Sequence, residues 1–102
     1  MVIYCFDIDE TLCTTKGENY GLAEPKESRI AVLRKLYAEG HTIKIFTARG
    51  SKTGIDWSEL TRAQLESWGA PYHELHLSKP YADLYIDDRA MSDKDFFKDS
   101  LN

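Results

Sequence analysis

Two aspartates, separated by one residue, follow the first apolar run of this chain. Asp7 and Asp9 come directly after residues 2–6, and Thr11 lies two positions further on. Removing a lone carboxylate from water costs several kcal/mol, so a buried strand that ends in two acids needs a cation or a reaction to compensate them. Carboxylates are also the oxygen ligands that Mg²⁺ prefers. The pair therefore indicates metal-assisted chemistry at the end of a strand.

Three further groups follow later apolar runs in the same way. Thr47 comes after residues 42–46, Lys79 after residues 73–77, and a second acid pair, Asp87 and Asp88, after residues 82–86. A phosphate monoester dianion repels an anionic nucleophile, so its cleavage needs cations and hydrogen-bond donors around the phosphoryl oxygens. Any one of these residues alone would be typical of an ordinary surface or strand end. Together, in this order, they predict a Mg²⁺-dependent phosphoryl-transfer site.

The residue types suggest a role for each group. Asp7 is placed to attack phosphorus and form an aspartyl-phosphate. Asp9 could protonate the leaving oxygen and later deprotonate a water. Thr47 would donate a hydrogen bond to a phosphoryl oxygen, and Lys79 would neutralise the charge of both phosphate and nucleophile.

The metal ligands are expected from two strand ends. Asp7 and Asp87 are the predicted side-chain ligands, and Asp9 would reach the metal through its backbone carbonyl. Asp88 is expected beside them, bonded to a metal-bound water or to Lys79.

The segments that would position these residues alternate between strand and helix patterns. Strands are predicted at residues 2–6, 42–46, 73–77 and 82–86, helices at 25–39, 57–68 and 92–97, and a loop or small hairpin at 14–24. This alternation predicts an α/β fold, with a doubly wound parallel sheet between two helical layers. We expect the strand order 3-2-1-4, which would place Asp7 and Asp87 across the switch point where such sheets bind ligands.

The composition narrows the class of protein. The chain has 102 residues, 42% hydrophobic and 29% charged, which predicts one globular domain over residues 1–102. Its net charge of −4 disfavours a nucleic-acid partner. No apolar stretch is long enough for a bilayer, and the first residues enter a strand without a basic leader, so we expect a cytoplasmic location and no membrane partner. Cys5 is expected to be a buried strand residue, since two cysteines make no disulfide framework here.

The motifs resemble those of the haloacid dehalogenase superfamily of phosphatases. Residues 6–12, Phe-Asp-Ile-Asp-Glu-Thr-Leu, look like its motif I, Asp-X-Asp-X-Thr. Thr47 stands where motif II has its hydroxyl, Lys79 where motif III has its lysine, and Asp87 with Asp88 where motif IV has an acid pair. The resemblance extends over most of the chain and implies the core fold of that superfamily with Mg²⁺ as cofactor.

A narrower resemblance rests on shorter stretches of sequence. Residues 47–50, 71–72 and 79–90 are similar to small bacterial phosphatases assigned to capsular polysaccharide biosynthesis. Superfamily members that act on small metabolites usually carry a cap domain, whereas here only short loops follow motifs I and III. The resemblance thus implies a capless, open site that takes a large phosphorylated substrate or is shielded by a second copy of the chain. The expected substrate contacts lie in loops: Thr11, Tyr20, Arg49, Tyr81 and Arg89.

The expected function is therefore hydrolysis of a phosphate monoester, on a sugar phosphate or a nucleotide-linked sugar. Two alternatives stay open: a phosphatase for a macromolecular phosphate, on a polynucleotide 3′ end or a protein, and a non-catalytic phosphate-binding scaffold. A receiver-type signalling module would need a phospho-acceptor acid after the third strand, where this chain has Ser78. A dehalogenase would not need Asp9 or the second acid pair.

Overall fold

A computed structural model describes residues 1–99 of the chain. Its elements, in chain order, are β1 (Ile3–Phe6), β2 (Cys13–Thr14), β3 (Glu24–Pro25), α1 (Glu27–Ala38), β4 (Thr42–Phe46), α2 (Ser58–Ser67), β5 (Glu74–His76) and α3 (Asp93–Phe96). Within these residues, no helix is both long and apolar enough to cross a membrane.

A parallel sheet of three strands, in the order β1-β4-β5, forms the centre of the fold. Ile3 of β1 lies opposite Thr42 of β4, and Lys44 of β4 lies opposite Glu74 of β5. In the central strand β4, buried Ile43 and Ile45 alternate with half-buried residues. The predicted α/β class with a parallel sheet is confirmed.

The predicted fourth strand, at residues 82–86, is not a strand in this structure. These residues have no regular secondary structure, and Leu84 and Ile86 are 74% and 90% exposed. Strand β1 is therefore an edge of the sheet, where Ile3 and Cys5 are exposed rather than buried as expected. An apolar, β-prone run forms a strand only when its backbone finds a partner, and here it does not pair with β1.

A small antiparallel hairpin follows β1. Its two strands, β2 and β3, pair Cys13 with Pro25, and its loop contains a 3-10 turn at Tyr20–Leu22. This confirms the small hairpin that the sequence allowed. Helix α1, however, begins at Glu27 and not at Pro25, because the Lys26 amide donates to the Leu12 carbonyl and keeps the preceding residues extended.

The helices cover the sheet and close the core. Helix α1 packs against β4, and Phe96 and Phe97 of the C-terminal segment lie 5.5 and 6.0 Å, between ring centroids, from Phe6. The Ser92 hydroxyl accepts from the Lys94 amide and caps α3, as predicted. The largest fully buried apolar side chains are Ile8, Leu12, Ile30, Leu33, Ile43, Ile45 and Leu65. Burying each stabilises the fold by about 1.5–3 kcal/mol, so these residues hold the loop ends in place.

Candidate active site

The loops at the carboxyl end of the sheet enclose a cleft of about 560 Å³. Its charged and aromatic lining residues are Asp7, Asp9, Glu10, Glu18, Arg49, Lys52, Lys79, Tyr20, Trp57, Tyr81 and Tyr85. The loops that follow β1, β4 and β5 and the hairpin loop all contribute to it, because parallel strands bring their carboxyl ends to one edge.

Asp7 and Lys79 meet in this cleft. The Lys79 ammonium lies 3.8 Å from Asp7 Oδ2, and the Lys79 amide donates to the Thr47 carbonyl at 3.2 Å. The ammonium also lies 4.3 Å from the centre of the Tyr85 ring. Burial raises the pKa of Asp7 above its ordinary value, although the charge of Lys79 opposes the shift. Asp7 is thus a partly buried carboxylate beside the cation of Lys79.

Asp9 is held by Arg49 through a two-pronged ion pair. Arg49 Nη2 donates to Asp9 Oδ1 at 2.9 Å, and Arg49 Nε donates to Asp9 Oδ2 at 3.0 Å. Thr15 Oγ1 adds a second bond to Asp9 Oδ1, at 2.6 Å. Both carboxylate oxygens of Asp9 therefore accept hydrogen bonds.

Arg49, an expected substrate contact, directs its side-chain donors to other residues of the protein. Its side chain is fully buried, and its remaining contacts run from Nη1 to Thr61 Oγ1 at 3.1 Å and to Gln64 Oε1 at 2.6 Å. A buried guanidinium needs acceptors on its donors, and the helix and Asp9 supply them. Arg49 borders the cleft but has little capacity left for a substrate.

The two predicted threonines are packed against backbone. Thr47 is 1% exposed, and its hydroxyl accepts from the Arg49 amide at 3.1 Å. Thr11 is half-buried; its amide donates to the Ile8 carbonyl, and its own carbonyl accepts from Arg29. The structure thus places Thr47 beneath the cleft floor, between the strand end and Lys79.

The two predicted tyrosines both lie on the cleft wall. The Tyr20 ring centre is 4.8 Å from the Arg49 guanidinium and 5.0 Å from the Trp57 ring centre. Tyr81 is 60% exposed, and the Lys52 ammonium lies 5.1 Å from its ring centre. Aromatic faces therefore border the space above Asp7.

The second acid pair lies away from the first. Asp87 Oδ1 accepts from the Arg89 amide at 2.9 Å, and Asp88 Oδ2 lies 3.9 Å from Arg89 Nε. The side chains of Asp88 and Arg89 are almost fully exposed. In the described part of the chain, the structure brings together no group of three or more Asp, Glu, His or Cys side chains that could hold a metal ion. The expected ligand set of Asp7, Asp9 and Asp87 is not assembled, because residues 82–86 do not pair with β1.

Several residues of the site were not singled out in the sequence. Trp57, Thr61 and Gln64 come at spacings of four and three residues, so they share one face of α2 and its N-terminal cap. That face supplies two acceptors for Arg49 and one wall of the cleft. Polar residues within an otherwise apolar helix stripe were the signal that could have found them.

The comparisons with known proteins concern the fold. The chain is similar to a crystal structure of a structural-genomics target from Vibrio cholerae, with a TM-score of 0.84 and 29% sequence identity, over 94% of this chain and 87% of the other. No protein-family model matches the chain, and no curated protein matches it.

Proposed function

We propose that the chain is a Mg²⁺-dependent phosphatase that cleaves a phosphate monoester through an aspartyl-phosphate on Asp7. The observation that carries this proposal is the 3.8 Å contact between Lys79 and Asp7 in a cleft that Asp9 also borders. A nucleophilic carboxylate, a cation beside it and a second carboxylate for proton transfer are the groups that this reaction needs.

The two chemical steps use these residues in turn. An Asp7 oxygen attacks phosphorus, and the bond from phosphorus to the ester oxygen breaks as Asp9, in its protonated form, gives that oxygen a proton. A water then attacks the phosphorus of the aspartyl-phosphate and passes a proton to Asp9. The bond from Asp7 to phosphorus breaks, which releases inorganic phosphate and restores both aspartates.

The donor chemistry fits a magnesium ion in part. Asp7 and Asp9 supply hard oxygen atoms at one side of the cleft, and the Lys79 ammonium lies 3.8 Å from Asp7. Mg²⁺, when bound, would neutralise charge on the nucleophile and the phosphoryl oxygens. Asp87 would complete the ligand set, with Asp88 beside it, only if the segment before them joins the sheet.

We therefore include in the proposal that residues 82–86 pair with the free edge of β1. The sheet would then run β5, β4, β1, residues 82–86, which is the order 3-2-1-4 of the four predicted strands. Leu84 and Ile86 are 74% and 90% exposed, and Ile3 on the unpaired edge is 66% exposed. Pairing would bury apolar surface on both sides and satisfy the free backbone groups of the edge. It would also carry Asp87 toward Asp7.

The walls of the cleft favour a substrate with a ring. Tyr20, Trp57, Tyr81 and Tyr85 border the space above Asp7, and aromatic faces suit the apolar side of a sugar or a base. A sugar phosphate or nucleotide-linked sugar is therefore the proposed substrate class. The open cleft would also accept a phosphate on a polynucleotide or a protein, which is the competing class.

The test is a phosphate-release screen over sugar phosphates, nucleotides, 3′-phosphorylated oligonucleotides and phosphopeptides in Mg²⁺. We expect the parent to turn over at least one ring-bearing substrate. Asp7→Asn should retain less than about 1% of that activity because the nucleophile is lost, and the parent should have none in excess chelator because the cation is lost. Asp95→Asn, an exposed acid on α3, is the control and should stay fully active. Full activity of Asp7→Asn, or of the parent in chelator, would overturn the proposal.

Melting curves test the metal ligands independently of turnover. A ligand that binds only the folded state raises the melting temperature, so Mg²⁺ should stabilise the parent. Asp87→Ala should abolish that rise, since it removes a ligand that the docked segment supplies. An unchanged rise in Asp87→Ala would remove Asp87 from the site.

A further inference from the structure

Arg49 has almost no donor capacity free for a substrate. Its side chain is fully buried and makes four hydrogen bonds, two of them to Asp9. An arginine fork that meets both oxygens of one carboxylate fixes that carboxylate in orientation as well as in position. The geometry thus links Arg49 to Asp9 more directly than to anything in the cleft.

The rest of the network holds Arg49 itself in place. Thr61 and Gln64 accept from Nη1, and Gln64 Nε2 also donates to the Tyr20 carbonyl at 2.5 Å. The Tyr20 ring lies over the guanidinium, 4.8 Å from its central carbon. Helix α2 and the hairpin loop thus clamp the arginine from two sides, so its fork is pre-organised before any substrate arrives.

We propose that Arg49 is a positioning residue that holds the Asp9 carboxylate as a proton acceptor for the hydrolysis of the aspartyl-phosphate. The inference rests on the proposed function and assigns Arg49 to its second step. Asp9 Oδ1 and Oδ2 both accept hydrogen bonds here, from Arg49 and Thr15. An acceptor held in this orientation suits the removal of a proton from water. The attack of Asp7 on phosphorus does not depend on it when the leaving group departs without a proton.

The experiment measures the two steps separately, with nitrophenyl phosphate. This leaving group departs without a proton, so the first turnover releases a burst of nitrophenol and the steady state then reports breakdown of the aspartyl-phosphate. We expect Arg49→Gln to keep the burst of about one per active site and to lower the steady-state rate by about 10–100-fold. Because only the breakdown step slows, KM should fall by a similar factor, so that kcat/KM stays within about twofold of the parent value. Arg49→Lys keeps the charge but not the fork, so we expect an intermediate loss.

A double variant locates the effect. If Arg49 acts through Asp9, adding Arg49→Gln to Asp9→Asn should change the steady-state rate by less than about twofold, because the residue it positions is already gone. Multiplicative losses would show that Arg49 acts on something else.

The control is the second buried arginine pair of the molecule. Asp93→Asn breaks the 2.7 Å ion pair with Arg29, and neither of these residues lines the cleft. This variant should lower the melting temperature without changing burst or steady state per folded molecule. Loss of burst and steady state together with a raised KM in Arg49→Gln would make Arg49 a substrate contact and overturn the inference. Failure of both Arg49 variants to fold would assign it a structural role and overturn it too. A parent without any burst or turnover would instead refute the proposed function itself.

Discussion

Shortening Leu84 to alanine tests whether residues 82–86 join the sheet. Leu84 is 74% exposed, and Leu22 in the 3-10 turn of the hairpin loop is 79% exposed, so the two leucines form a matched pair. If both side chains stay in water, Leu84→Ala and Leu22→Ala should each change the free energy of unfolding by less than about 0.5 kcal/mol.

Docking of the segment predicts a different magnitude for Leu84. Full burial of a leucine side chain stabilises a protein by about 1.5–3 kcal/mol, and 74% of that surface remains to be covered. Burying the rest of the Leu84 side chain would then stabilise the fold by about 1–2 kcal/mol. Leu84→Ala would lose this stabilisation, and the cavity that alanine leaves would add to the loss. We expect Leu84→Ala to lower the free energy of unfolding by about 1–3 kcal/mol, with Leu22→Ala unchanged.

Urea unfolding, followed by the fluorescence of Trp57 and Trp68, measures the difference. With a slope near 1 kcal/mol per M for a chain of this size, the midpoint of Leu84→Ala should fall by about 1–3 M. The measurement is repeated in Mg²⁺, which should enlarge the gap if Asp87 binds the metal in the docked state. Equal, small shifts for both leucine variants would refute docking, and with it the place of Asp87 in the metal site.

Two further predictions concern the cleft. Gly50 and Gly54 both have left-handed backbones (φ +82° and +80°), but a Cβ at Gly50 would collide with the Ile55 carbonyl oxygen, whereas one at Gly54 meets nothing within 4 Å. In thermal melts, Gly50→Ala should therefore lower the free energy of unfolding by about 2 kcal/mol more than Gly54→Ala does. Equal losses for the two variants would show that the close approach at Gly50 is not kept. In metal-free buffer at pH 7, Asp7→Asn should be more stable than the parent by up to about 1 kcal/mol. Burial raises the pKa of Asp7 above 3.8, so the charged carboxylate lowers the stability of the folded parent, by an amount that solvent partly screens. That destabilisation appears as the pH rises from about 3.8 through the folded-state pKa, so the advantage of Asp7→Asn should vanish near pH 3; a constant advantage from pH 3 to pH 7 would contradict it.

The positions of several predicted site residues depend on strand ends alone. Asp7, Asp9 and Lys79 border one cleft as expected, because each follows a strand of the same parallel sheet. Tyr20 and Tyr81 border it too, since their loops leave from the same edge.

Arg49 shows where such reasoning stops. Its position two residues after Thr47 placed it correctly at the cleft, but its function as a partner of Asp9 depends on Thr61 and Gln64 of α2. Which turn of a helix faces a given loop is set by how that helix packs on the sheet, and no local pattern records it.

The sequence by itself determined the α/β class, the strand at residues 42–46, the capped C-terminal helix and the grouping of acids and lysine at one edge. These features follow from local signals: hydrophobic periodicity, capping residues and the rule that parallel strands share a carboxyl edge. Only the tertiary structure decided that Arg49 is buried against Asp9. Whether residues 82–86 pair likewise depends on β1, which is distant in the chain. A strand needs a partner and a buried charge needs acceptors, and both are supplied by residues distant in the chain, so no stretch of sequence specifies them alone.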